Sequence, residues 1–136
     1  MVTPYAFLFV VTKIPSSVKC TDKEEFERVR KSGCGADVWS AGSRVKLRPD
    51  WEIVKVRKMY DGNKAKYEQN ENLRKQLLAT KGTVTFHGST SFWCTWNARI
   101  TELIREELRG EDGDKEKIDY IWNQINEYEK DQGKKD

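Results

Sequence analysis

The chain has 136 residues, 25 Lys+Arg against 22 Asp+Glu, and a net charge of +3. Its mean hydropathy is −0.83, yet 11% aromatics with five Trp supply enough apolar surface for a core and exclude wholesale disorder. That length suits one domain. No apolar run nears the roughly 18 residues that span a bilayer, so no membrane segment is expected.

In chain order, Tyr5–Val11 is the longest apolar run. No cationic stretch precedes it and no small-residue cleavage site follows, which argues against a signal peptide. Its β-branched and aromatic content favours a strand on propensity. Thr21-Asp22-Lys23-Glu24 has capping-box spacing, and Phe26 and Val29 follow on one helical face. Residues 33–43, rich in Gly and Ser, read as a loop with at most one turn. Pro49-Asp50 opens a helix whose face carries Ile53, Val56 and Tyr60, and Asp61-Gly62-Asn63 interrupts it. Asn70 caps a further helix with Leu73, Leu77 and Leu78 inside, ending at Lys81-Gly82.

Thr83–Phe86 alternates like a short strand, and Gly88–Ser91 is a polar turn. Phe92-Trp93-Cys94-Thr95-Trp96-Asn97 reads as two Trp around a polar turn, faces on which a flat ring can stack, or else as core tryptophans. From Asn97, the residues Ile100, Leu103, Ile104 and Leu108 make a helical stripe. Gly110–Gly113 breaks it. Asp114 caps a last helix with the stripe Ile118, Ile121, Trp122, Ile125 and Tyr128, and Asp131–Asp136 is expected to fray. The expected fold class is therefore mainly α with minor β, in a compact single domain. Residues 111–136 form an acidic helix packed against residues 1–110.

Charge is segregated along the chain. Residues 44–81 carry eleven basic and five acidic residues, a net +6; residues 111–136 carry five basic and nine acidic, a net −4. The basic block reads either as solvated helix faces or as a site for phosphate-bearing ligands. Arg44-Val45-Lys46-Leu47-Arg48-Pro49-Asp50-Trp51 brings cations to a helix start, where free N–H groups favour anions. Cys20, Cys34 and Cys94 are odd in number and lack CxxC spacing, which fits reduced thiols and a cytoplasmic setting. The single His87 has no ligand set around it, so no metal and no cofactor is expected. A His–Cys nucleophilic pair would rest on coincidence of composition alone.

Four segments together resemble the NADAR family, also called YbiA-like. Arg44 to Lys55, with Met59 after it, is similar to the family's "GR…LR-x-DW-xxVK…M" stretch. Lys66-Tyr67-Glu68-Gln69-Asn70 is similar to "KF-x-QN", and Leu73 to Thr80 to "LR-xx-LLAT". Phe92-Trp93 with Asn97 is similar to the late "D-xx-WG…N" region. The match runs from about Asp22 to about Leu108.

The resemblance implies a YbiA-like fold, with Tyr5–Val11 as a buried helix. It also implies N-glycosidase chemistry on a phosphorylated riboside, either an ADP-ribosyl base or a riboflavin-pathway intermediate. Such hydrolysis passes through an oxocarbenium-like state and needs an acid or base. The implied ligand-binding set is Lys13, Arg44, Arg48, Trp51, Trp93 and Asn97, cations holding phosphates and an aromatic stacking on the base.

The chain departs from the family where its catalytic carboxylates stand. Pro4 falls on the N-terminal Glu position, Thr90 on the later Asp, and Cys94 on the glycine after "W". Asp50, Glu52 and Glu68 are the acids left to substitute. Three functions follow as expectations: an N-glycosidase, a family member that binds an ADP-ribose-like nucleotide without cleavage, and a basic nucleic-acid or protein-interaction module. The expected partner is a small phosphorylated riboside in preference to nucleic acid, with no membrane, and the chain a monomer or homodimer.

Overall fold

A computed structural model describes residues 20–31 and 36–135; at 30 and 36–39 it describes the backbone alone. The expectations for Tyr5–Val11, Pro4 and Lys13 lie outside the described residues. The fold is mainly helical: α1 (Lys23–Lys31), α2 (Ala36–Ser43), α3 (Trp51–Gln69), α4 (Glu71–Leu78), α5 (Ser91–Leu108), a 3₁₀ turn (Gly110–Asp112) and α6 (Lys115–Gly133). The expected minor β component reduces, among the described residues, to one isolated antiparallel bridge between Cys20 and Leu47.

α1 begins one residue later than the Thr21 capping box implies. Asp22 is the cap: its Oδ1 accepts the Glu24 amide at 2.7 Å and its carbonyl the Phe26 amide at 2.9 Å. A carboxylate there also suits the helix dipole. α2 corrects the loop expected over 33–43. Its glycine and serines are poor helix formers, but Ala41 packs with Val29 of α1 and Val45 in a small separate core. Burial of that face outweighs the local preference.

α3 also runs through the expected break. Gly62 and Asn63 are buried inside it, and the Asn63 amide donates to the Met59 carbonyl one turn back at 2.8 Å. The break motif costs about 1 kcal/mol at Gly62, less than the packing of the surrounding face returns. Pro49 sits before the cap rather than in the first turn, and Asp50 takes the cap position without capping by its side chain. Asn70 is both the last cap of α3 and the N-cap of α4: its carbonyl accepts the Arg74 amide at 2.9 Å, but its side-chain amide serves α3, donating to the Lys66 carbonyl at 2.8 Å.

α4 ends at Leu78, before the expected Lys81-Gly82. The Thr83–Phe86 stretch, expected as a short strand, has no regular structure and pairs with no strand among the described residues. It borrows partners from α5 instead. The Val84 amide donates to Glu102 at 2.7 Å, and Arg105 donates to the Gly82 carbonyl at 2.7 Å. Gly82 turns the chain there with φ +77°, a conformation that L side chains resist. α5 starts at Ser91, not Asn97, with the Thr90 hydroxyl accepting the Trp93 amide at 3.4 Å. Asp114 caps α6 by accepting the Lys117 amide at 3.1 Å. α6 stays helical through Gly133, past the expected fraying point.

The main core lies between α3, α5 and α6. Val56, Ile100, Leu103, Ile104 and Ile125 are fully buried there, with Tyr67 of α3, Leu77 of α4, Trp96 of α5 and Ile121 of α6 beside them. Each large apolar side chain so buried contributes about 1.5–3 kcal/mol before entropy. α6 runs antiparallel to α3, since Glu52 meets Tyr128 while Tyr60 meets Trp122. The short turn after α5 makes α6 antiparallel to it as well. α3 and α5 are therefore parallel, and their N-terminal turns lie at the same end of the bundle.

Candidate ligand-binding site

That end carries an aromatic and cationic cluster built from three helices. Tyr128 of α6 donates its hydroxyl to the Glu52 carbonyl in the first turn of α3 at 2.6 Å. Glu52 accepts Lys55 at 2.6 Å, and the same ammonium stands 4.5 Å from the Phe92 ring centre. Phe92 packs edge-on against Trp93 at 5.0 Å and lies 5.8 Å from Tyr128. Trp96 meets Tyr128 at 5.6 Å, and the Arg99 guanidinium covers Trp96 at 5.0 Å. Trp96 is buried, whereas Phe92, Trp93 and Tyr128 are half-buried.

The expected ligand residues divide three ways. Trp93 lies in the cluster. Arg48 precedes α3 and Trp51 opens it, the helix whose Lys55 meets Phe92. Arg48 grips Asp50 with two donors at 2.5 and 2.9 Å, and Trp51 is buried. Asn97, one turn beyond Trp93, has a buried Oδ1 with no hydrogen-bond partner among the described residues. Arg44 is exposed in the turn after α2 and makes no ion pair among the described residues. Lys13 is outside them.

Residues 92–97, expected as a turn flanked by two Trp, are the first turns of α5. This changes what the tryptophans offer. Trp96 is buried and Trp93 half-buried, although three residues of helix keep the two on neighbouring faces. Sequence reasoning missed Lys55 and Arg99 as neighbours of the site, and Phe92 as the ring that Lys55 meets. Arg99 had a readable signal, a cation three residues after Trp96 on one helix. The approach of Lys55 to Phe92 had none, being a contact between helices.

Electrostatics at this end keep Asp50 ionised and Tyr128 neutral. The Arg48 hydrogen bond holds the Asp50 carboxyl below its ordinary range. Burial and the Glu52 charge push the Tyr128 phenol up to about 12. A general acid needs a raised carboxyl pKa, so Asp50 is the wrong kind of carboxylate for protonating a leaving base. Glu68 is exposed on α3, fourteen or more residues from the first turn.

Six of the eleven cations in the +6 block are ion-paired, four with acids inside the block and two with Glu107 and Glu129 outside it. Arg48, Lys55, Arg57, Lys58, Lys64 and Lys75 all sit in ion pairs with Asp50, Glu52, Glu129, Asp61, Glu107 and Glu71. Lys66 is buried, and loss of solvation lowers its pKa to about 7. Among the described residues no group of His, Cys, Asp and Glu has metal-binding geometry. No helix in them is long and apolar enough to cross a membrane. Compared with known proteins, the chain matches no family model, no curated protein and no solved structure.

Proposed function

We propose that this chain is a NADAR-like protein that binds an ADP-ribose-like phosphorylated riboside without cleaving it. The ligand would lie across the start of α3 and α5. The observation that carries this reading is the half-buried Trp93–Phe92 pair with Lys55 of α3 against it, Arg48 standing three residues before that helix. An aromatic rim accepts a flat base, and adjacent cations accept its phosphates. The Asp50 carboxylate, ionised and held by Arg48, supports binding over turnover. Calorimetry with ADP-ribose tests it: heat of binding is expected, with loss on Trp93→Ala or Arg48→Ala. No heat with ADP-ribose, NAD or cyclic nucleotides overturns it.

The second reading is an active N-glycosidase, favoured by a resemblance that spans four motifs in order. Release of free base from an ADP-ribosyl or riboflavin-intermediate substrate would establish it; no turnover at high enzyme concentration would sink it.

A further inference from the structure

The family resemblance ends near Leu108, so α6 lies beyond it, and yet α6 reaches into the candidate site. Tyr128 is the point of entry. Its hydroxyl donates to the Glu52 carbonyl at 2.6 Å, and its ring lies against Phe92 and Trp96 at 5.8 and 5.6 Å. Glu52 in turn holds Lys55 at 2.6 Å, and Lys55 closes the circuit over Phe92 at 4.5 Å. The circuit touches α6, α3 and α5 in sequence. Each member fixes the next: the phenol seats the first turn of α3, that turn carries the carboxylate, and the carboxylate sets the ammonium against the ring.

From this circuit we infer that Tyr128 is a positioning residue of the ligand site and acts through Glu52 and Lys55. The inference rests on the proposed binding reading. It assigns the acidic C-terminal helix a role in recognition besides its apolar packing on α3 and α5. Tyr128 need not touch the ligand. Its work is to hold the cation and the aromatic rim in one geometry before the ligand arrives, so that less ordering is left to be done on binding.

The test uses the full chain, with ADP-ribose as the probe in calorimetry and thermal unfolding as a check of folding. Tyr128→Phe keeps the ring and removes the hydroxyl, so the aromatic packing survives. Affinity is expected to fall roughly three- to tenfold, the range for one lost hydrogen bond. Lys55→Met and the Tyr128→Phe/Lys55→Met double variant complete a cycle. If Tyr128 acts through Lys55, the double variant binds no worse than Lys55→Met alone.

A role confined to packing leaves the two effects multiplicative, and that result overturns the inference. Unchanged affinity in Tyr128→Phe overturns it too, and leaves the binding reading standing. If the unmodified chain binds nothing, the binding reading falls first and this inference falls with it.

Discussion

The two ends of the α3–α5–α6 bundle use charge in opposite ways. At the end described above, cations lie on aromatic faces and at the rim. At the other end, two arginines are consumed inside the fold. Arg105 is 1% exposed and Glu106 is 4% exposed. Glu106 accepts Arg109 at 2.5 and 3.0 Å, and Arg105 at 3.4 Å. Arg105 also donates to Thr80 and to the Gly82 carbonyl, and Arg109 to the carbonyls of Leu78 and Thr80. These donors satisfy the carbonyls left open where α4 ends. Glu107 makes a second tie nearby, accepting Tyr60 at 2.6 Å, Lys64 at 3.3 Å and Trp122 at 3.3 Å. One end buries its charges in closing the structure; the other pairs Arg48 and Lys55 in half-buried positions, Lys55 beside a flat ring. A buried, saturated network fixes a fold, while a half-buried one leaves donors and ring faces for a ligand.

The contrast is broken most sharply at Glu106. Glu106→Ala leaves Arg105 charged and buried without its carboxylate, and should cost about 3–5 kcal/mol of stability. A urea titration reads this as a lowered midpoint at an unchanged slope. Glu106→Gln should cost less, because the amide oxygen still accepts.

Next in size is a pH effect on the same half of the bundle. Burial lowers the folded-state pKa of Lys66 to about 7 from an ordinary 10.5. Between those values the unfolded chain binds the proton and the folded one does not. Stability should therefore rise with pH over that window, by at most about 1.4 kcal/mol per unit. Above about pH 10 the trend should reverse: burial raises the Tyr60 and Tyr67 phenol pKa values, so the folded chain keeps protons that the unfolded chain gives up. Lys66→Met should remove the rise, and a series of urea midpoints across pH checks both arms.

Gly113→Ala tests how tightly the closed end is built. A Cβ at Gly113 would lie 2.1 Å from the Glu106 carbonyl oxygen. The turn must shift, at a cost of about 1–3 kcal/mol, visible in thermal unfolding.

Trp93→Ala tests the open end. It should weaken ADP-ribose binding by about tenfold, the order of one lost stacking contact, while costing less stability than any change at Glu106. Loss of stability equal to that of Glu106→Ala would erase the distinction between the two ends.

The smallest effect is expected at Asp50. Its folded pKa is lowered by Arg48, so its contribution is present above the ordinary value of 3.8 and is lost as pH falls through the lower folded value. Asp50→Asn should remove only that acid-limb dependence, leaving the neutral-pH midpoint nearly unchanged, because the pair is exposed and worth little.

Sequence reading served best where the pattern was long and periodic. The Ile100–Leu108 and Ile118–Tyr128 stripes located α5 and α6, and Asp114 was a correct cap, since each signal is local to one helix. It failed where glycine and asparagine stood for breaks. Gly62 and Asn63 sit mid-helix, and the Gly/Ser-rich stretch before Arg44 folds as α2. In both places packing partners remote in sequence outweighed a penalty of about 1 kcal/mol per residue. In the candidate site, the sequence shows Arg48, Trp51 and Trp93 as a cation and two aromatics. It does not show their distribution between core and rim.

By itself the sequence determined a helical chain with a basic middle and an acidic end, because periodicity and charge are properties of consecutive residues. Only the tertiary structure decided what those charges do. Six of the middle cations are paired, one lysine is buried, and the acidic helix is turned to bring Tyr128 against Glu52, Phe92 and Trp96. The physical reason is range: a helix declares itself within a few residues, whereas Lys55 and Phe92, or Glu52 and Tyr128, meet only when whole helices pack.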